Sequence, residues 1–190
     1  FHRNTLRYIL NLVYFPQRPH IVHRLDANTS GVMVLCKRKR IASIVQKQFE
    51  NRTVEKSYLA RVHGHPTSNE FACDAALSRE PEAGGIRILD PQGDEASTGF
   101  SVIERFEDGT SLVRCFPKTG RTNQIRVHLW SLGFPICGDP AYLLECKPGN
   151  NQTLLPGEPT MCLHAESIAF TGPDGMLLKF SDAAPSWALP

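Results

Sequence analysis

Residues 23–37 read His-Arg-Leu-Asp-Ala-Asn-Thr-Ser-Gly-Val-Met-Val-Leu-Cys-Lys, with one carboxylate, Asp26, set between the cation Arg24 and a turn. Asn28, Ser30 and Gly31 favour that turn because Asn and Ser side chains bond local backbone, and Gly accepts positive φ without a Cβ clash. The apolar run Val32-Met33-Val34-Leu35 that follows predicts a strand. A loop carrying Arg24 and Asp26, held at its far end by a rigid element, is where functional side chains concentrate.

The stretch resembles the active-site signature of the RluA-type pseudouridine synthases, H-R-L-D-x-x-T-S-G-x-x-x-x-x-K, and every specified position is present from His23 to Lys37. A lone Asp in a loop is ordinarily a turn residue, whereas a full signature at fixed spacing makes it a candidate for chemistry. Residues 53–64 alternate in the manner of a strand that Gly64 and Pro66 end. They resemble the family's second signature, K-x-Y-x-A-x-V-x-G, at Lys56, Tyr58, Ala60, Val62 and Gly64. Residues 118–142 are similar to a third, T-G-R-T-H-Q-I-R-V-H-L followed by G-x-P-I-x-G-D-x-x-Y, with Asn123 where His is usual. Leu163-His164-Ala165 looks like the family's closing L-H-A.

The rest of the chain supplies elements for these motifs to sit on. Leu6, Ile9, Leu10, Val13 and Tyr14 recur at helical spacing over residues 4–14, with Asn4 or Thr5 as N-cap and Pro16 and Pro19 beyond. Ile41, Ala42, Ile44, Val45 and Phe49 predict a second amphipathic helix over 40–51. Residues 67–97, rich in Gly and Pro, read as short strands joined by turns. Residues 101–106 and 111–116 form a hairpin around Asp108-Gly109, and 161–170 with 176–180 form two more strands. In the third motif Ile125, Leu129 and Leu132 share one helical face, with Thr122 as N-cap and Gly133 at the end, although Ile125, Val127 and Leu129 also alternate as in a strand. The caps favour the helix.

At 190 residues the chain can bury one sizeable core, so a single domain over 1–190 is expected. It starts at Phe1 without Met, which suggests a trimmed piece; the family's upstream strand with its Lys-Pro pair and the S4 domain of some members are expected to be missing. No run reaches the roughly 18 apolar residues of a membrane span, and no signal segment opens the chain. Residues 1–61 hold 12 Lys+Arg against 3 Asp+Glu, a balance of +9, and residues 62–190 hold 9 against 16, a balance of −7. A basic first third points to a polyanionic partner, and Lys37-Arg38-Lys39-Arg40 is either part of that surface or a solvated helix entrance. Six scattered cysteines form no C-x-x-C pair and read as buried hydrophobes in a reducing compartment. The cytoplasm is expected, with nucleus or organelle as alternatives.

The resemblance implies an α+β fold with a mixed, largely antiparallel sheet, flanking helices and a central active-site cleft. It also implies an isomerase that turns uridine into pseudouridine in structured RNA, whether rRNA, tRNA or mRNA. Breaking the bond from C1′ to N1 develops positive charge at C1′, which a carboxylate can stabilise or trap, and the base must first leave its stack. Asp26 takes the first role, and Tyr58 lies beside it, stacking on the base or removing a proton. Arg126 is the expected guanidinium partner of Asp26, within hydrogen-bonding reach, with Arg121 second. Arg24, placed to fill the vacated stack or hold phosphate, joins Arg121, Lys56, His23 and Thr29 in binding substrate. Neither metal, cofactor nor obligatory protein partner is expected, and His63, His65 and His164 form no ligand set. Two other readings share parts of this pattern. An idle RNA-binding domain would keep the fold and the charge, and a retaining glycosidase would need a second carboxylate about 5 Å from Asp26 that no motif marks.

Overall fold

The computed structural model describes residues 5–82, 85–149 and 151–189. Helix α1 spans Leu6–Val13, and the Tyr8 N–H donates to the Thr5 side chain at 3.3 Å, so Thr5 is the N-cap; Asn4 lies outside the described residues. None of its side chains is buried. Helix α2, Lys39–Glu50, buries Ala42 and Val45 at the helical spacing anticipated, and Asn51 ends it.

Nine strands complete the described fold. Two-residue strands β1 (His20–Ile21), β2 (Ser30–Gly31) and β3 (Leu35–Cys36) precede β4 (Glu55–His63), β5 (Glu70–Cys73), β6 (Thr98–Arg105), β7 (Thr110–Pro117), β8 (Leu163–Thr171) and β9 (Leu177–Ser181). Strands β1 and β3 pair antiparallel on their own, and the main sheet runs β2-β8-β4-β7-β6-β5 with β9 also on β8. Only β2–β8 is parallel in that sheet, so the architecture is the mixed, largely antiparallel α+β one expected.

The strand anticipated at Val32–Leu35 is instead broken between β2 and β3. Gly31 has φ +108° and lies so close to β8 that a Cβ would come within 2.3 Å of the Ala165 carbonyl oxygen. Beyond it the Val34 N–H turns to the His23 ring, donating to Nε2 at 2.9 Å, and so leaves the ladder. The apolar run still reaches the core, with Val32 and Val34 packed beside Val22, Cys36 and Val45.

Helix α3 covers Gln124–Ser131, and it is buried on every side: Ile125, Arg126, Val127, His128 and Leu129 are all inside. Its low amphipathicity explains why its apolar residues also fitted a strand. Ile125 and Leu129 pack on Ala60, Val62, Val113 and Met161, whereas Val127 packs on the far side with Leu77, Ala141 and Tyr142. One face of β4, continued by Val54 just before it, then positions the site. Val54 belongs to the α2 core, Ala60 and Val62 belong to the α3 core, and Lys56 and Tyr58 between them line a cleft.

Candidate active site

The cleft has a volume of about 270 Å³, near the lower end of the roughly 300–1,000 Å³ usual for ligand sites, and suits a nucleoside-sized group. His23, Arg24, Asp26, Thr29, Lys56, Tyr58 and Arg121 all line it, so seven of the eight anticipated side chains converge there. Arg126 does not.

Asp26 is held from both sides. Its carbonyl accepts the Thr29 N–H at 3.1 Å, closing the turn in which Asn28 takes φ +66°. Its Oδ2 accepts the Asn123 N–H at 3.0 Å. Asn123 is the N-cap of α3 and adopts a left-handed backbone, φ +59°, so the cap is not Thr122 as the sequence pattern suggested. That conformation turns the amide toward Asp26, and the carboxylate sits at the positive end of the helix dipole. Burial raises the Asp26 pKa above the ordinary carboxylate value, against the opposing pull of Arg126, the Asn123 N–H and Arg24.

Arg126 corrects the expected direct bond to Asp26. Its Nε and one terminal nitrogen donate to the two oxygens of Asp139, each at 2.7 Å, and the other donates to Asn123 Oδ1 at 2.9 Å. The two side chains are 1% and 0% exposed. A planar fork fits one carboxylate at a time, and Asp139, in the turn after α3, has captured it. Arg126 therefore reaches Asp26 through its field and through Asn123. Arg121 is equally committed elsewhere, donating to the Glu95 carbonyl at 3.0 Å and to Asp94 at 3.2 Å while its flank faces the cleft.

The remaining side chains have defined states. Burial, with the Asp26 charge second, pushes the Tyr58 phenol up to about 12. Burial brings Lys56 down to about 8, and its Nζ donates to the Thr119 carbonyl at 3.0 Å. His23 stacks on Phe49 at 5.1 Å and accepts from Val34 through Nε2, which makes it a brace of the loop as well as a wall of the cleft. Thr29 Oγ1 is buried with no hydrogen-bond partner among the described residues. Arg24 is exposed at the rim.

Several residues that complete the site carried no role in the sequence pattern. Gln124 fixes the opposite wall: its Oε1 accepts from Thr119 Oγ1 at 2.6 Å and the Arg121 N–H at 3.0 Å, and its Nε2 donates to the Ser97 carbonyl and Thr98 Oγ1. Gln152 ties the two flanks of Asp26 together. Its carbonyl accepts from Asn28 Nδ2 at 3.1 Å and its Oε1 from Asn123 Nδ2 at 2.9 Å, while Leu154 N–H donates to Asn28 Oδ1 at 3.2 Å. Gln124, Asp139 and Tyr142 stand inside the third motif, so a signal existed for them; Gln152 lies in an irregular loop with none. Among the histidines, His65 contacts the Phe106 carbonyl and His164 contacts Ser30 Oγ, each within 3.0 Å.

A family model described as RNA pseudouridylate synthase matches residues 2–131. The chain belongs to that family. It is 42% identical over 125 residues to the uncharacterized RNA pseudouridine synthase YlyB of Bacillus subtilis, covering 66% of this chain and 41% of the relative. It is 39% identical over 164 residues to the dual-specificity RNA pseudouridine synthase RluA of Vibrio parahaemolyticus, covering 84% of this chain and 63% of that one, in keeping with the RluA-type signature. The solved structure of human RNA Pseudouridylate Synthase Domain Containing 1 superposes with a TM-score of 0.76 at 28% identity, covering 95% of this chain and 72% of the other. The chain thus spans about two fifths to two thirds of the length of these curated relatives. No helix among the described residues is long and apolar enough to cross a membrane.

Proposed function

We propose that the chain isomerises uridine to pseudouridine in RNA, with Asp26 acting on a base turned out into the cleft. The bond from C1′ to N1 breaks, the uracil rotates, and C1′ joins C5; the C5 hydrogen leaves as a proton to water and N1 gains one. The observation that carries this reading is the state of Asp26. The carboxylate faces a nucleoside-sized cleft, anchored through one oxygen to Asn123 N–H, and its other oxygen has no protein donor among the described residues. Anchoring through one atom keeps the group aimed while leaving a lone pair for C1′ or for a proton at C2′.

The neighbours fit supporting roles. A phenol near pKa 12 stays protonated at neutral pH, which favours Tyr58 as a face for the base or a hydrogen-bond donor rather than a resident base. Thr29 Oγ1, buried on the wall and without a partner among the described residues, is available to a polar atom of the nucleoside. Arg24 at the rim can fill the gap in the stack, offsetting an extrusion cost of roughly a few kcal/mol. An RNA substrate and six free cysteines favour a reducing compartment inside the cell.

The test uses RNA tritiated at uracil C5. Isomerisation must expel that label into water, whereas binding alone or glycosidic hydrolysis leaves it on the base. Release is expected in the presence of a chelator and is expected to vanish in Asp26→Asn. Binding without release from any cellular RNA pool, tested also with a longer chain, would leave an idle RNA-binding domain.

A further inference from the structure

We infer that the groove between the end of α2 and the Lys118–Arg121 loop is a phosphodiester subsite, which holds the RNA backbone next to the extruded nucleotide. The inference rests on the function proposed above. The groove, about 320 Å³, is continuous with the cleft, since Phe49, Lys56, Thr119, Gly120 and Arg121 line both. Arg52 and Lys118 extend it outward, so four cations face a channel leading to Asp26.

Arg52 is the telling residue. It occupies the position after the α2 C-cap with φ +59°, a left-handed conformation in which Gly or Asn is the usual occupant and an Arg is strained. Its side chain is half exposed, and its one ion pair among the described residues, with Glu95 at 3.7 Å, is long and solvated, so it adds little to the fold. A strained cation that gives the fold so little is free to serve a ligand in the groove that it lines. Lys56 makes the same point from inside. Its ammonium is largely buried, its hydrogen bond goes to a carbonyl, and no carboxylate lies within 4 Å among the described residues. A buried cation without a counter-charge is disfavoured until an anion arrives, and its lowered pKa records that. The acidic groups at the groove are Glu50 on its wall, Glu95 in the long, solvated pair with Arg52, and Asp94 on Arg121; these leave Lys56, Lys118 and the loosely paired Arg52 for phosphate. The basic run 37–40 is not an equivalent. It begins α2, and the helical rise of about 1.5 Å per residue from Lys39 puts Phe49 roughly 15 Å away along the axis, whereas Lys37 and Arg38 lie beside the apolar groove of Phe170 and Leu178.

Binding of a single-stranded uridine 20-mer, measured from low to high salt, tests the subsite. Each phosphate left without its cation lowers the log–log slope by about 0.7, so Arg52→Gly with Lys118→Ala is expected to lower it by roughly 1.4. Arg52→Lys, which keeps the charge, is expected to keep the slope, and Arg52→Gly alone is expected to melt no lower than the parent because Gly relieves the backbone. An unchanged slope in both Arg52→Gly and Lys118→Ala would overturn the subsite, as would a lower melting temperature for Arg52→Gly with full affinity. Tritium release by the parent protein separates the two claims. Release with an unchanged slope keeps the catalysis and removes the subsite; no release with a reduced slope does the reverse.

Discussion

Two carboxylates share the field of Arg126, and they are treated in opposite ways. Asp139 accepts four donors, two from the Arg126 fork and the backbone N–H groups of Ala141 and Tyr142 at 2.8 and 3.2 Å. Among the described residues the Asp26 carboxylate accepts one, from Asn123. A carboxylate offers about four acceptor sites, so Asp139 is saturated and inert while Asp26 is left with capacity facing a cleft. The saturated group holds the structure together. The unsaturated one is costly to the fold and available to a substrate, and Asn123 connects the two, bonding Asp26 through its backbone and Arg126 through its side chain.

The sharpest way to break this contrast is Asp26→Asn. Turnover is expected to disappear, while the melting temperature stays level or rises at neutral pH. The sign follows from burial: the folded pKa is raised above the unfolded one, so the stability linked to this group is present below the unfolded pKa and is lost as pH rises through the folded one. A mutant that melts lower than the parent at pH 7 would mean that Asp26, like Asp139, serves the fold.

Arg126→Ala tests the other half. Breaking a buried pair strands Asp139, and the expected loss is about 3–5 kcal/mol of stability, or a drop of roughly 6–20 °C in melting temperature for a chain of this size. Arg121→Ala, whose pair with Asp94 is 35% and 42% exposed, is expected to cost about 1 kcal/mol or less. Activity should follow the same ranking. Denaturation curves for both, beside turnover, would sink the ranking if the losses proved equal.

Gln152→Ala removes one hydrogen bond to Asn123 and loosens the link between the two flanks of Asp26. A net hydrogen bond of about 1 kcal/mol corresponds to a several-fold fall in turnover, and RNA affinity should hold, since phosphates dominate it. An affinity loss as large as the rate loss would instead make Gln152 a substrate contact. The smallest effect is on pH dependence. The acid limb of the rate should lie above the ordinary carboxylate value of 3.8, and Arg24→Ala should move it further up, because Arg24 is one of the cations pulling the Asp26 pKa down. A limb that moves down would mean that another group limits the rate.

What was readable in the chain was local. Turn residues after Asp26, the 3.6-residue spacing of α2, and the alternation that puts Lys56 and Tyr58 on one face all depend on neighbours a few positions apart. The β6–β7 hairpin around Asp108-Gly109 was legible for the same reason. Helix α3 was ambiguous because it is buried all round, so its apolar pattern carries no single period.

The sequence alone carried the family signatures and, through the resemblance they establish, the class of fold and the candidate carboxylate Asp26, because motif spacing is written in consecutive residues. Only the tertiary structure decided which arginine meets which aspartate, that the Val32–Leu35 run breaks against Ala165, and that Gln152, 124 positions from Asn28, closes the site. Those outcomes depend on which of several chemically suitable partners the fold brings within about 3 Å, and a guanidinium fork or a carbonyl lone pair goes to whichever arrives with the right geometry.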